Sequence, residues 1–183
     1  MNGINQAIFN LNVFEGETLN VIIETPKGSR NKYTFDEKLG LFKLGGVLPL
    51  GANFPFDFGF IPSTTGGDND PLDVLLLMDE PAFAGCLVES RLLGVIEAEQ
   101  TEDGKTERND RLIAVAENSR NHKNVRSLED LNENAIGEIE HFFISYNEAK
   151  GKQFKPLGRF GADRARKLIE EGMKKFNSQK KPD

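Results

Sequence analysis

The feature that most constrains the fold of this chain is an apolar run from Leu72 to Met78, interrupted only by Asp73. Seven residues suit a strand, and apolar side chains at nearly every position indicate that both faces of the strand are buried. Such a strand lies inside a sheet, where other elements cover it. The run therefore predicts a strand at the centre of the protein.

Five further segments have the residue pattern of strands. They are residues 19–25, 32–36, 41–44, 87–98 and 112–116. The segments 32–36 and 41–44 predict a hairpin, and the polar stretch 99–110 around Gly104 predicts a second, exposed hairpin. The first half of the chain is therefore rich in strands.

The second half carries two amphipathic helical patterns. One stripe runs from Ile136 to Tyr146 and ends before Gly151, and the other runs from Ala165 to Phe176. A capping-like stretch, Ser127 to Asp130, precedes the first stripe. Strands followed by helices predict an α+β fold built on a small barrel.

Length and composition fit one domain over residues 1–183, with residues 1–18 as an N-terminal arm and residues 177–183 as a polar tail. The single cysteine, Cys86, excludes an internal disulfide, and no leader or membrane-spanning segment is recognisable. We therefore expect a cytoplasmic protein without a membrane partner. The net charge of −6 argues against a nucleic-acid partner but allows a small phosphate ligand.

Three carboxylates lie within six residues just before the buried strand, in the sequence Asp68-Asn69-Asp70-Pro71-Leu72-Asp73. Asp68 and Asp70 face the same side of an extended chain, and Pro71 bends the path so that Asp73 can join them. Carboxylates this close repel one another unless a cation lies among them. Oxygen ligands favour a hard cation such as Mg²⁺.

The acidic cluster could also belong to a calcium-binding helix-loop-helix or to a solvated loop. The calcium motif needs Gly at the sixth loop position and Glu at the twelfth, where this chain has Asp73 and Asp79. The motif therefore does not fit. The strand that follows at once argues against a merely solvated acidic loop, because the strand gives the carboxylates a rigid support.

The pattern Asp-x-Asp-Pro-x-Asp before a buried strand resembles the signature of the soluble family I inorganic pyrophosphatases. Two further blocks are similar to that family in order and spacing, Ile23 to Tyr33 and Phe54 to Pro62. The resemblance spans about residues 19 to 155. It implies an OB-type five-stranded barrel with peripheral helices, Mg²⁺ dependence with Mn²⁺ or Zn²⁺ as alternative ions, and a homo-oligomer.

The resemblance also implies roles for single residues. It implies that Asp68, Asp70 and Asp73 bind metal, and that Asp70 orients or deprotonates the attacking water. Lys32 and Tyr146 match residues that bind phosphate. The remaining matches are Glu24, a carboxylate near the metals, and three residues of the predicted metal hairpin, namely Asp103 and Asp110 as ligands and Arg111 in place of a lysine that binds substrate.

Several positions depart from the family pattern. Phe54 and Phe58 replace two tyrosines, Thr34 replaces a glutamate and Asn147 replaces a lysine. An expected arginine falls on Gly45 or Gly46, with Lys43 nearby but not aligned. In an alignment without a gap, Asn109 replaces the second aspartate of the metal hairpin. Each lost charge-assisted contact is worth on the order of 1.5–3 kcal/mol, so a weakened substrate clamp is expected.

The leading hypothesis is Mg²⁺-dependent hydrolysis of inorganic pyrophosphate to two phosphates. The first alternative is a hydrolase of a related phosphoanhydride or phosphoester, because Phe54 and Phe58 would give the pocket a more apolar rim. The second is a barrel that binds metal without catalysis.

Overall fold

The computed structural model describes residue 8 and residues 10–179. Within these residues the chain forms ten strands and two long helices. The strands are β1 (Phe14–Glu15), β2 (Thr18–Thr25), β3 (Asn31–Asp36), β4 (Leu41–Val47), β5 (Asp57–Phe60), β6 (Asp73–Leu77), β7 (Leu87–Glu102), β8 (Lys105–Arg108), β9 (Arg111–Ala116) and β10 (Gln153–Gly161). The helices are α1 (Glu133–Glu148) and α2 (Ala162–Gln179).

Five strands pair in a ring. Strand β2 pairs with both β5 and β7, β5 pairs with β6, and β9 joins β6 to β7. The β6–β9 pair is parallel and the other four pairs are antiparallel. Strands β3 and β4 form a separate hairpin beside the ring. This arrangement confirms the predicted α+β class and agrees with a five-stranded barrel flanked by two helices.

Strand β6 is buried on both faces, as its composition predicts. Leu75 and Leu77 lie in one hydrophobic cluster, which α1 covers with residues such as Phe143. Val74 lies in a second cluster, which α2 covers with residues such as Ile169. Alternate side chains of a strand point to opposite faces, so a continuous apolar run feeds both clusters. The acidic residues that precede β6 are therefore attached to the most rigid part of the protein.

The sequence pattern did not predict strand β10, which lies between the two helices. It pairs antiparallel with β7, and its register shifts between Pro156 and Gly158. Proline cannot donate to a strand ladder and glycine weakens it, so both residues hide a strand from pattern analysis. Strand β5 was also missed, because four residues within an aromatic block give too short a pattern.

The ends of the helices differ from the predictions. Ser127 and Asp130 do form a capping box, but it closes a single 3₁₀ turn, and α1 begins later with Asn132 as its N-cap. Helix α2 continues to Gln179, so residues 177–179 of the predicted polar tail are helical. Residues 180–183, like residues 1–7 and 9 of the predicted N-terminal arm, lie outside the described residues. Neither helix in the described part of the chain is long and apolar enough to cross a membrane.

Candidate functional site

An open cavity of about 640 Å³ lies between the acidic loop, the β3–β4 hairpin and the C-terminal end of α1. Among the described residues, six acidic and six basic side chains line it, so its walls are highly charged without a large net charge. Seven residues that the sequence analysis predicts for the site meet here. They are Glu24, Lys32, Asp68, Asp70, Asp73, Arg111 and Tyr146.

The acidic loop is folded tightly by its own backbone. The Gly66 N–H donates to the Asp70 carbonyl at 2.6 Å, and the Asp70 N–H donates to the Asp68 carboxylate at 3.2 Å. Asn69 takes a left-handed conformation with φ of 70°, which asparagine tolerates better than most residues. A side chain at Gly67 would lie 2.8 Å from the Arg108 carbonyl, so only glycine fits there. These constraints turn Asp68 and Asp70 toward the same cavity.

The three aspartates of the loop raise one another's pKa. Burial is the largest cause at each carboxylate, and it raises the pKa values of Asp68, Asp70 and Asp73. Repulsion adds to it, from Asp73 at Asp68, from Asp68 at Asp70, and from Asp70 at Asp73. The group therefore favours any ligand that brings positive charge.

Glu24 lies on strand β2 and lines the same cavity as the acidic loop. Burial raises the pKa of its carboxylate to about 7, and repulsion from Asp73 and Asp70 adds to this effect. The Phe35 N–H opposes the rise by donating to Glu24 Oε1 at 2.7 Å. Lys32 also lowers the pKa. This hydrogen bond ties strand β2 to the β3–β4 hairpin at the edge of the cavity.

The oxygen-rich loop suits a divalent cation. Carboxylate oxygens are the donors that hard ions such as Mg²⁺ prefer, and the mutual repulsion of these groups would be relieved by such an ion. Within the described residues, no three Asp, Glu, His or Cys side chains are close enough to share one ion. Asp73 is instead held by Arg111, at 2.5 Å. The carboxylate oxygens are therefore ligands that suit a divalent metal, but in this structure they are not gathered around a single point.

Basic side chains face the acidic loop across the cavity. Lys32 Nζ lies 5.6 Å from the centre of the Phe58 ring and 5.9 Å from that of Tyr146, so two rings support the ammonium group. Lys150 donates to the Tyr146 hydroxyl. Lys43 pairs with Asp36 at 2.6 Å on the β3–β4 hairpin. This wall offers ammonium and hydroxyl donors to a polyanion.

Arg111 is the most deeply buried cation of the site, with its side chain 6% exposed. Its Nη1 donates to Asp73, to the Asn109 side-chain oxygen and to the Asp110 carbonyl. Its guanidinium carbon lies 4.8 Å from the centre of the Phe143 ring. Nη1 therefore ties Arg111 to the acidic loop, while Nε is buried with no hydrogen-bond partner among the described residues.

The structure does not bring Asp103 and Asp110 into this cavity. Asp103 lies with Gly104 in the exposed two-residue turn between β7 and β8, at φ of 50°. The Asp110 carboxylate accepts from the Ala98 N–H at 2.9 Å and from Arg108 at 2.7 Å, and it lines a neighbouring cavity. The length of the hairpin explains the position of Asp103, because the paired strands β7 and β8 carry the turn away from the barrel.

The two phenylalanines that replace tyrosines do not form an apolar rim. Phe54 is 1% exposed and Phe58 is 3% exposed, and both belong to the hydrophobic cluster beneath the cavity. The expectation of an apolar rim is therefore wrong. Asn147 is also buried, and its amide donates to the Phe143 carbonyl at 2.8 Å, so it stabilises α1.

Gln100 is a wall residue that the sequence analysis missed. It lies beside Asn109, whose side-chain amide donates to Gln100 Oε1 at 3.1 Å, and both residues line the cavity. The Asp103-Gly104 turn sets the register of β7 and β8, which pairs Gln100 with Glu107. Counting outward from this Asp-Gly turn could have identified Gln100 from sequence. Lys43 was noted as nearby, and the structure places it in the wall.

Comparison with known sequences gives one consistent result. Residues 21–177 match the family described as inorganic pyrophosphatase. The inorganic pyrophosphatase of Geobacillus stearothermophilus is 37% identical over 169 residues, which cover 91% of this chain and 99% of that protein. The inorganic pyrophosphatase of a Synechocystis species is 37% identical over 158 residues, which cover 86% and 91% of the two chains.

Solved structures give the same result. The inorganic pyrophosphatase from Thermus thermophilus superposes with a TM-score of 0.84 and 32% identity, covering 93% of this chain and 98% of that chain. An inorganic pyrophosphatase from Neisseria gonorrhoeae superposes with a TM-score of 0.84 and 34% identity, covering 95% and 99%.

Proposed function

This chain belongs to the inorganic pyrophosphatase family, and we propose that its cavity hydrolyses inorganic pyrophosphate to two phosphates. The observation that carries this proposal is the pairing of two walls in one cavity. A carboxylate loop that favours a cation faces ammonium groups that favour a polyanion. Pyrophosphate with a divalent metal matches both groups, because the metal is the cation for the carboxylates and pyrophosphate is the polyanion for the ammonium groups. The family implies a divalent metal, and we propose Mg²⁺, with Mn²⁺ or Zn²⁺ as alternative ions, because carboxylate oxygens suit hard cations.

We propose that Asp68, Asp70 and Asp73 hold the metal, with Glu24 behind them. A bound divalent ion neutralises phosphate charge and lowers the pKa of a water molecule. Asp70 is the residue that we propose as the acceptor of the water's proton. Its carboxylate lines the cavity together with those of Asp68 and Asp73, where a water molecule on the proposed ion would lie. Asp103 and Asp110 are not part of the ligand set that we propose.

We propose that the basic wall binds the two phosphates. Lys32, Tyr146 and Lys150 form one group of donors, and Lys43 on the β3–β4 hairpin forms another. Lys43 lies where it can substitute for the expected arginine, which glycine replaces. Arg111 also lines the cavity, and its Nη1 holds Asp73 of the acidic loop. A weakened clamp raises KM more than it lowers kcat.

The test is phosphate release from Mg-pyrophosphate by the wild type and by Asp70→Asn. We expect kcat to fall at least about 100-fold in Asp70→Asn, because the proton acceptor is lost. Asp163→Asn is the matched control, since Asp163 is exposed at the start of α2 and outside the cavity. An undiminished rate in Asp70→Asn would end this assignment of roles, and no chelator-sensitive turnover by the wild type would end the proposal itself.

Assays on the same purified protein test the two alternative functions, hydrolysis of another phosphoanhydride or phosphoester and metal binding without catalysis. Burial of Phe54 and Phe58 removes the argument for an organic substituent in the substrate, so we expect nucleotides and organic phosphoesters to be poor substrates. A non-catalytic barrel would bind Mg²⁺ in calorimetry and turn over no phosphoanhydride. Selective hydrolysis of pyrophosphate excludes both alternatives.

We also propose a homo-oligomer in the cytoplasm. The support for self-association is a group of exposed apolar side chains on and after the β3–β4 hairpin, namely Leu39, Leu41, Leu44, Val47 and Leu50. The support for a reducing compartment is the single free cysteine, Cys86. Light scattering after size exclusion tests the first proposal, and a monomeric mass at micromolar concentration would contradict it.

A further inference from the structure

Two neighbouring residues that line the cavity, Gln100 and Asn109, carry amide side chains. Gln100 in β7 and Asn109 before β9 lie side by side, because the Asn109 N–H donates to the Ala98 carbonyl at 2.9 Å. Both side chains line the cavity, and neither has a charge. A divalent ion binds carboxylates far more strongly than neutral amides. Gln100 and Asn109, which we call the amide wall, are therefore weak ligands for a divalent ion.

The hydrogen bonds of the amide wall are already used within the protein. The Asn109 Oδ1 atom accepts from Arg111, and its Nδ2 atom donates to Gln100 Oε1 at 3.1 Å. A guanidinium group can only donate, so the oxygen of Asn109 must face Arg111. The oxygen atoms that could have bound a metal are thus turned toward protein donors.

Arg111 brings a permanent positive charge to the same wall. Its guanidinium group does not deprotonate in proteins, and the ion pair with Asp73 is 2.5 Å long. The rings of Phe143, Phe154 and Phe58 lie at 4.8, 5.5 and 6.0 Å from the guanidinium carbon, and they hold it in place. A second cation near Asp73 on this side would be repelled.

We infer that Arg111 is a resident counter-ion of Asp73, and that with the amide wall it confines divalent ions to the Asp68–Asp70 side of the cavity. Asp73 then gives one oxygen to the guanidinium group and has only the other to offer an ion. Arg111 thus provides a positive charge that a metal ion would otherwise bring to Asp73. We therefore infer that the cavity binds fewer divalent ions than it would without Arg111. This inference rests on the proposed metal-dependent function and narrows it to a particular part of the cavity.

The first test adds carboxylates to the amide wall. Mg²⁺ binding to metal-free protein is measured by isothermal titration calorimetry for the wild type, for Gln100→Glu/Asn109→Asp, and for Thr106→Glu. The last variant is the control, because it adds one carboxylate to the exposed part of the same hairpin. We expect the double variant to bind an additional ion, or to bind Mg²⁺ at least tenfold more tightly, and the control to match the wild type.

The outcomes separate this inference from the proposed function. Binding by the double variant that equals the wild type overturns the inference and leaves a pyrophosphatase assignment standing. Gain of binding in the double variant, with a wild type that binds Mg²⁺ but hydrolyses nothing, supports the inference and rejects the proposed function. No binding by either protein overturns both.

The second test removes the resident charge. Met in Arg111→Met fills similar space between the rings but releases Asp73. We expect Mg²⁺ to bind at least tenfold more tightly, and thermal unfolding to show a larger increase in Tm on adding Mg²⁺ than the wild type shows. Weaker Mg²⁺ binding by a folded Arg111→Met variant would show that Arg111 orients the metal ligands, and it would overturn the inference. If Arg111→Met does not fold, Mg²⁺ binding by Gln100→Glu/Asn109→Asp tests the inference without it.

Discussion

At the residue scale, the pKa of Glu24 depends on what the fold places around its carboxylate. Burial raises this pKa from 4.5 to about 7, with help from Asp73. Below pH 4.5 the carboxyl group is protonated in both the folded and the unfolded protein. Above that pH the unfolded chain releases the proton first, so the folded protein holds more protons and its stability falls as pH rises.

We therefore predict that the metal-free protein loses stability between about pH 4.5 and pH 7. The loss attributable to Glu24 is on the order of 3 kcal/mol, and Glu24→Gln should remove that part while keeping the acceptor for the Phe35 N–H. Urea unfolding in chelator at several pH values measures it. A pH dependence that is identical in Glu24→Gln and the wild type would contradict this assignment.

Asp57 is a second buried carboxylate, and it lies outside the cavity. Its Oδ1 atom accepts from the Ala82 N–H at 3.0 Å, and the backbone N–H groups of Ala82 and Lys27 partly offset the effect of burial on its pKa. Burial is the main reason that the pKa of this group is raised. The ionised form is therefore a source of instability as pH rises.

We predict that Asp57→Asn becomes more stable relative to the wild type as pH increases. The amide oxygen keeps the bond from Ala82 and the buried charge is removed, so the difference in the free energy of unfolding should be larger at pH 8 than at pH 3, below the ordinary pKa of 3.8. Free energies of unfolding at the two pH values measure the change. Pyrophosphate hydrolysis serves as the control and should be unaltered, since Asp57 does not line the cavity.

At the element scale, the C-terminal half of α2 supports the acidic loop from behind. Lys175 Nζ donates to the Gly66 carbonyl at 2.5 Å, and the Thr65 N–H donates to the Gly172 carbonyl at 3.1 Å. Leu72 packs so closely on Gly172 that a side chain there would lie 2.9 Å from it. These contacts hold the segment that leads into the aspartates.

We predict that Lys175→Met loosens the loop without removing any ligand. The Mg²⁺ concentration for half-maximal activity should rise about three- to tenfold, while kcat at saturating Mg²⁺ should stay within about twofold of the wild type. Lys174→Met is the matched control, because Lys174 is the neighbouring exposed lysine of the same helix. Equal Mg²⁺ dependence in the two variants would show that α2 does not position the loop.

At the scale of the whole molecule, metal binding should be coupled to folding. The carboxylates of the loop repel one another in the folded protein and separate in the unfolded chain, so an ion that binds them stabilises the fold. A ligand at 100 times its dissociation constant adds about 2.7 kcal/mol. For a domain of this size that corresponds to an increase of about 5–10 °C in Tm.

We predict this increase on adding Mg²⁺ to the metal-free wild type, and a much smaller one in Asp68→Asn/Asp70→Asn. Differential scanning calorimetry with and without chelator measures it, and NaCl at matched ionic strength controls for screening. An increase of equal size in the double variant would place the ion elsewhere in the protein.

Local residue patterns were sufficient to predict much of the fold and part of the candidate site. A continuous apolar run predicted strand β6, and residue patterns predicted five further strands, namely β2, β3, β4, β7 and β9. The spacing of Asp68, Asp70 and Asp73 predicted an acidic loop on a rigid support. The family resemblance then predicted Lys32 and Tyr146 near that loop, and both line the cavity. Such features are predictable because strand periodicity and short spacings depend only on neighbouring residues.

Tertiary structure alone decided which side chains meet across the cavity. The pairing of Arg111 with Asp73 depends on the register between β6 and β9, two strands that are distant in sequence. The burial of Phe58 likewise follows from the way α1 packs on the barrel. Long-range pairing of this kind leaves no local pattern, because partners separated by tens of residues are brought together only by the folded chain.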